Sequence, residues 1–337
     1  MTSTSQDQRQ TLPRDAALVL DYGAHLEPAL TVALGETFVV ETNDNWFNLV
    51  SKDGDVADRH APPVVARQYL RCNPLAGPIF VEGVEAGDVL VVKIEDIAVR
   101  EWGWTGTVEG IGPLAGQSEW AAIDEPFATI IQHVPGASGT LADGEAVMRV
   151  DDREVRWPLA PFIGTIATAP ERGIETAVNG QGPWGGNIDV RHICAGNELQ
   201  LNATHDGGLL FLGDVHASQG DSELTGQANE TAAAVTLTCS VIKGRQNPGV
   251  CRIETPDSVI QVDSARNAGS PERAMDSCFK NLIRWLIEDY GLTPREAYFQ
   301  MGANSLVRMH TYQFTTGVFS CGVEFPKTSL PAASPGA

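Results

Sequence analysis

Apolar and polar residues alternate with a period of two over much of this chain, the pattern of half-buried strands. Within Thr231–Lys243, Ala233, Val235, Leu237, Cys239 and Val241 face one way, and Thr236, Thr238 and Ser240 the other. Leu90, Val92 and Ile94 share a face of Asp88–Val99, as Leu199, Leu201 and Ala203 do in Glu198–Ala203. Gly35–Thr42 reads as a strand leaving a turn, and a final strand or two is expected within His310–Phe325. The run GLLFLG, residues 208–213, does not alternate, as expected for a strand buried on both faces.

Helical spacing emerges late. Met275, Cys278, Leu282, Trp285 and Leu286 recur at three- and four-residue intervals. Ser270 and Pro271 supply an N-cap and a first-turn proline, and Gly291 supplies the stop. Thr293-Pro294-Arg295-Glu296 is a capping box opening a second helix. The expected fold is therefore mainly β, with a helical pair near residues 270–300. The Gly- and Trp-rich segments Trp102–Trp120 and Val178–Asp189 read as long ordered loops, the usual place for a site. Trp102, Trp104, Trp120 and Trp184 are candidates for a pocket wall, although a tryptophan more often covers a core.

Composition narrows the function. The chain has 337 residues, 34 glycines, 20 prolines and a formal net charge of −20. That acidity argues against nucleic acid or an anionic membrane as partner, since both need a basic footprint. No apolar run approaches the ~20 residues of a membrane span. The six cysteines are scattered without a CxxC pair, and the N-terminus lacks the apolar core of an export signal. Reduced thiols and a cytoplasmic location follow as expectations. Residues 1–27 and 328–337 read as flexible tails around a single unit, 28–327, with two intimate β subdomains as the alternative.

The candidate chemistry lies in GDVHASQGDSE, residues 213–223. Residues two apart on an extended chain point the same way, so Asp214 and His216 can address one point, and Asp221 and Glu223 another. Carboxylates plus one imidazole suit a divalent metal. Upstream, GPWGGNIDVRH places Asn187, Asp189 and His192 after a glycine-rich turn, and a hairpin between residues 187 and 216 would bring Asp189 to Asp214 and His216. HExxH, GxSxG and a phosphate-binding glycine loop are absent. Residues alone leave a solvated acidic turn as the alternative.

The 213–223 block resembles the G-D-x-H-A-x-Q-G-D-G-E block of the acetamidase/formamidase family. NPLAGPIFVEGVEAGDVLVVKIEDI (73–97), PLAPFIGTIATAP (158–170) and GPWGGNIDV (182–190) resemble that family's further blocks, in the same order. Ser222 stands where the family usually has glycine, and Ala76 where threonine is common. ETNDNWFNLV aligns loosely with an E-T-x-D-A segment, matching Asp44 to its acid.

The resemblance implies an amidohydrolase that cleaves short amides to a carboxylate and ammonia. It also implies a jelly-roll-like β-sandwich with a smaller α+β portion, homo-oligomers, and a divalent metal, zinc or alternatively calcium. On this basis Asp44, Asp189, Asp214 and His216 are expected as metal ligands. Asp221 or Glu223 is the expected general base, Asn187 and Gln219 the donors to the developing oxyanion, and Glu82 a further acid–base candidate. Cys194 is the rival nucleophile. A larger, cyclic or carbamoyl-type amide is the alternative substrate, and a non-catalytic small-amide binder with a structural ion the alternative function.

Overall fold

The computed structural model describes residues 9–16, 18–56, 72–117, 119–315 and 317–331. Two large sheets dominate. One runs in the order Thr11–Leu12, Thr37–Thr42, Ala233–Ile242, Val89–Val99, Glu198–Asn202, Cys251–Glu254, Ser258–Ser264, Val318–Pro326 and Arg308–Thr315. The other places Leu210–His216 between Phe162–Ala167 and Glu230–Thr231, with Leu75–Glu82 also paired to it.

The alternating faces close against each other to form the main core. Val92, Ile94, Leu199, Leu201, Val235 and Leu237 from the first sheet meet Ile79, Val81, Ile163, Ile166, Leu210 and Leu212 from the second. Burying each such side chain contributes about 1.5–3 kcal/mol, so the sandwich follows from the binary pattern. The mainly β expectation holds. All seven residues of Leu210–His216 are buried, as the missing alternation required.

A bulge explains one change of phase. Leu90, Val92 and Ile94 point inward, but so do Ile97 and Val99. The pairing with Ala233–Ile242 steps from Asp96 directly to Ile94, leaving Glu95 as the extra residue.

Helix Pro271–Tyr290 has the expected ends. Ser270 accepts from the Arg273 amide, and Gly291 closes it with φ 71°. Cys278, Leu282, Trp285 and Leu286 pack on Val259, Cys321, Val323 and Phe325 of the adjacent strands. Cys278 is thus a core residue, as its place in the stripe suggested. Thr293 and Glu296 complete both arms of the capping box.

Three expectations need correction. Residues 9–16 and 18–27 are not a frayed tail: Thr11–Leu12, Leu18–Val19 and Asp21–Tyr22 each join a neighbouring strand, and Tyr22 is fully buried. A two-residue strand carries no periodicity, which is why composition misjudged it. The outer parts of both expected tails, 1–8 and 332–337, lie outside the described residues. Trp102–Trp120 is not all loop, because Trp102–Thr107 pairs with Phe127–Val134 and buries Trp104 completely. Val178–Asp189 contains a tight hairpin, Gln181–Gly182 with Gly185–Asn187. Among the described residues no helix is long and apolar enough to cross a membrane.

Candidate active site

The end of strand Leu210–His216 is where the chemistry gathers. Asp214 and His216 sit within the strand rather than in a following loop, and both are buried. His216 pairs in register with Glu230, so the antiparallel partner delivers a second acid to the imidazole. His216 Nε2 lies 3.5 Å from Asp214 Oδ1 and 3.3 Å from Glu230 Oε2.

Asp189 arrives by a route other than a direct hairpin. Strand Phe162–Ala167 lies between Gly185–Asn187 and Leu210–His216. Gly164 makes the approach possible: its carbonyl accepts from the Asp189 amide at 3.0 Å. A Cβ on Gly164 would fall 2.7 Å from Asp189 Oδ1 and 2.6 Å from the Asp214 carbonyl oxygen. The missing side chain is what lets the two acids meet.

The result is a buried cluster of Asp189, Asp214, His216, Glu223 and Glu230. Ligand atoms of Asp189, Asp214 and His216 lie within 4.8 Å of one another, as do those of His216, Glu223 and Glu230. The backbone is bent to achieve this. Asp189, Asp214, Ser222 and Glu223 have φ of 47°, 56°, 75° and 46°, a left-handed region that costs a non-glycine residue roughly 1–2 kcal/mol.

Hydrogen bonds fix the orientation of the side chains. Asp214 Oδ2 accepts from Asn73 Nδ2 at 2.8 Å and Thr165 Oγ1 at 2.9 Å. Gln313 donates to Asp189 Oδ2. Gln219 Nε2 donates to the Tyr312 carbonyl at 2.9 Å, so its Oε1 must face His216 Nδ1, 2.9 Å away. An amide oxygen only accepts, so Nδ1 carries the proton. Nε2 is therefore the atom turned toward the acids, and it has no hydrogen-bond partner; nor do Glu230 Oε2 and Asp189 Oδ1.

Charge in this space is unbalanced. Burial, reinforced by Asp214, pushes Asp189 up to about 7 against the pull of His216. Burial also raises Glu223 and Glu230, each held back in part by His216. Burial opposes the His216 imidazolium, yet Glu230 and Asp214 together outweigh it and hold that group well above its ordinary value. Among the described residues, the ion pairs these four carboxyls make are those of Asp214 and Glu230 with His216. Buried carboxylates demand a compensating charge. A divalent cation fits the donor set, because the orphaned His216 Nε2 belongs to two groups of close ligand atoms, one with Asp189 and Asp214 and one with Glu223 and Glu230. The four acids favour a hard ion and the imidazole a borderline one.

A cavity of about 240 Å³ opens beside the cluster, lined by Asn45, Cys72, Asn187, Asp189, Asp214 and Glu223 among others. This is below the ~300–1,000 Å³ of pockets for drug-sized ligands. Ile111, Val178 and Val318 supply apolar wall. Trp46 packs behind it in a buried group with Cys72 and Trp104.

The structure brings together Asp189, Asp214, His216, Glu223, Asn187 and Gln219, and separates Asp44, Glu82 and Asp221 from them. Asp44 is buried against Arg100, which donates to it at 2.8 Å, and it also caps the amides of Trp46 and Asn48. It is absent from the ligand clusters formed by the described residues. Its match to the family's acid was positional, and an internal arginine captures it. Glu82 is exposed at its strand end, beside the Gly83 turn with φ 88°. Asp221 is exposed and pairs with Arg191. Gln219 lies beside the cluster, but both ends of its amide are engaged in holding His216 and Tyr312, so it orients the imidazole instead of offering a donor. Asn187 Nδ2 likewise donates to the Val178 carbonyl at 2.8 Å.

Cys194 is a poor nucleophile. Burial raises its thiol. Glu230, Asn73, Thr165, Gln313 and Gly164 escaped the sequence reading. Only register could have exposed Glu230, since it pairs across the strand from His216.

The acetamidase/formamidase family model matches residues 14–183 and 177–314 of this chain. An acetamidase of Mycolicibacterium smegmatis is 26% identical over 348 residues, covering 82% of this chain and 83% of its own length. A Schizosaccharomyces pombe protein that bears the formamidase name is 27% identical over 258 residues, which span 62% of this chain but only 60% of that protein. The crystal structure of an acetamidase from Yersinia enterocolitica superposes with a TM-score of 0.80 at 26% identity, covering 96% of this chain and 93% of that one. With the blocks and the buried acid cluster in the same chain, the conclusion is direct: this protein belongs to the acetamidase/formamidase family.

Proposed function

We propose that the chain hydrolyses a short amide to a carboxylate and ammonia, with a divalent cation held at the buried cluster. The observation that carries this reading is His216 Nε2, aimed among Asp214 and Glu230 with no hydrogen bond while Gln219 fixes the proton on Nδ1. Family membership and the small, partly apolar cavity support the same substrate class. Asp189, Asp214 and His216 would hold the ion, zinc being favoured by the imidazole and calcium being the alternative. Such an ion supplies Lewis acidity and lowers the pKa of bound water.

The chain's own groups do the rest. Glu223 is buried at the cavity, and burial raises its carboxyl, so it can take a proton and pass it to the departing nitrogen. Gln219 keeps His216 in one tautomer. Asn73 and Thr165 fix Asp214, and Gln313 fixes Asp189. Ile111, Val178 and Val318 would face the acyl group and limit its size. The chain is proposed to act as a homo-oligomer in the cytoplasm.

An ammonia-release assay over short, cyclic and carbamoyl amides, with and without chelator, tests the proposal. Formamide and acetamide should be cleaved, chelation should abolish the reaction, and thiol alkylation should not. Asp214→Asn should lose at least about 10³-fold in kcat while remaining folded. Activity that survives exhaustive chelation would overturn the role of the ion. Failure to release ammonia from any of these amides would overturn the enzyme.

A further inference from the structure

We infer that the chain carries a second, separate site for a borderline divalent cation such as zinc, formed by His192, His310 and Glu324. Ligand atoms of the three lie within 4.8 Å of one another. They come from segments far apart in sequence: His192 follows the Asp189 turn, and His310 and Glu324 sit on the paired strands Arg308–Thr315 and Val318–Pro326. Two imidazoles and one carboxylate are a donor set for zinc, cobalt or nickel rather than for calcium or magnesium.

The surroundings match what such a site needs. His192 Nδ1 is 3.1 Å from the Tyr312 hydroxyl, which can accept its proton and leave Nε2 free as a ligand. His310 stacks on Tyr312 with ring planes 14° apart, so its ring is held in place. His310 Nε2 already reaches Glu324 Oε2 at 2.8 Å. Donors within 4.8 Å need only close to about 3.3 Å to bind one tetrahedral ion with bonds of about 2.0–2.1 Å. Both side chains are partly open, His310 at 13% and Glu324 at 22% of full exposure. His192 also lines a groove of about 680 Å³ through which an ion and its water can enter.

This site is independent of the amidase reading, yet one strand joins the two. Tyr312 meets His192 with its hydroxyl and accepts from Gln219 with its carbonyl. The next residue, Gln313, holds Asp189. A cation at the outer cluster would brace the strand from which the inner cluster is oriented.

The test titrates the chelator-stripped, full-length protein with zinc alone, counting bound ions by elemental analysis after gel filtration. Cobalt absorption spectra report the ligand set. Wild type should hold one equivalent more than either His310→Ala or Glu324→Gln. Asp214→Asn should keep that equivalent and show a cobalt spectrum that His310→Ala lacks. Circular dichroism establishes that each variant is folded, and Glu324→Gln, nearly isosteric, decides the matter if His310→Ala does not fold. Equal stoichiometry in wild type, His310→Ala and Glu324→Gln would overturn the proposal. An ion lost in His310→Ala and retained in Asp214→Asn supports it even if the inner cluster binds none, so the two readings fail separately.

Discussion

Two clusters flank one strand, and they handle charge in opposite ways. The inner one packs four carboxyls around a single imidazole, all buried, with orphaned polar atoms turned toward each other. The outer one sets two imidazoles against one carboxylate in a half-open position, where His310 pairs with Glu324 and His192 with the Tyr312 hydroxyl. Burial makes the difference. In the interior, burial raises the acids, whereas near solvent the same residue types settle into ordinary pairs. The inner cluster therefore holds more acid than its one imidazole balances, whereas the outer one sets a single acid against two imidazoles.

The strongest way to break this contrast is to fill the gap that makes the inner cluster possible. Gly164→Ala places a methyl group against Asp189 and the Asp214 carbonyl. It should cut kcat about 10²-fold or more and destabilise the fold by about 1–3 kcal/mol, read by steady-state kinetics and a denaturant melt. Unchanged kinetics would mean that Asp189 does not need its present position.

Next in size is Gln219→Leu, which frees His216 Nδ1 and the tautomer with it. Loss of a partner that orients a ligand typically costs 10–100-fold in metal affinity or activity. The expected signature is weaker metal binding at the inner site with a normal far-ultraviolet spectrum. A variant that binds metal as tightly as wild type would show that the tautomer is set elsewhere.

The contrast also predicts stability trends of opposite sign in the metal-stripped protein. Asp189 is raised from 3.8 to about 7, so the folded state holds the extra proton and stability falls as pH rises between these values. The raised His216 acts in the same sense: its contribution is full below its unfolded value and fades as pH climbs through the folded one. In the outer cluster, Glu324 is depressed from 4.5 to about 2, principally by His310, and His192 from 6.5 to about 4, principally by burial. Their contributions are present above the unfolded values and are lost as pH falls through the folded ones. Thermal melts of stripped protein should therefore show a maximum. Asp189→Asn should flatten its alkaline side and Glu324→Gln its acid side. A curve that both variants leave unaltered would remove the assignment.

The smallest effect belongs to Ser222. It does not line the cavity beside the cluster, yet it holds φ 75° inside a turn. That explains why glycine suits the position better than a change of substrate does. Ser222→Gly should relieve left-handed strain of roughly 1–2 kcal/mol, partly offset by added freedom in the unfolded chain. A net gain of up to about 1 kcal/mol, with the amide preference unchanged, is the expected outcome in a melt and a substrate panel.

What the sequence revealed followed the range of the interactions. The helix Pro271–Tyr290 and the capping box at Thr293 were legible because their signals lie within a few residues. Asp214 and His216 were legible because positions two apart on a strand share a face. Glu230 was not, because only the antiparallel register sets it against His216. Gln313 was not, because it lies 124 residues from the Asp189 it holds. Asp44 matched a family position yet is engaged by Arg100, a contact across 56 residues that no local pattern encodes.

The positive φ values of Asp189, Asp214, Ser222 and Glu223 have a consequence for protein engineering. The cluster is specified by the path of the main chain as much as by its side chains. Copying the five ionisable residues onto another β-sandwich with regular strands would point them in different directions. A portable version of this centre must carry its left-handed turns and the bare glycine at 164 along with it.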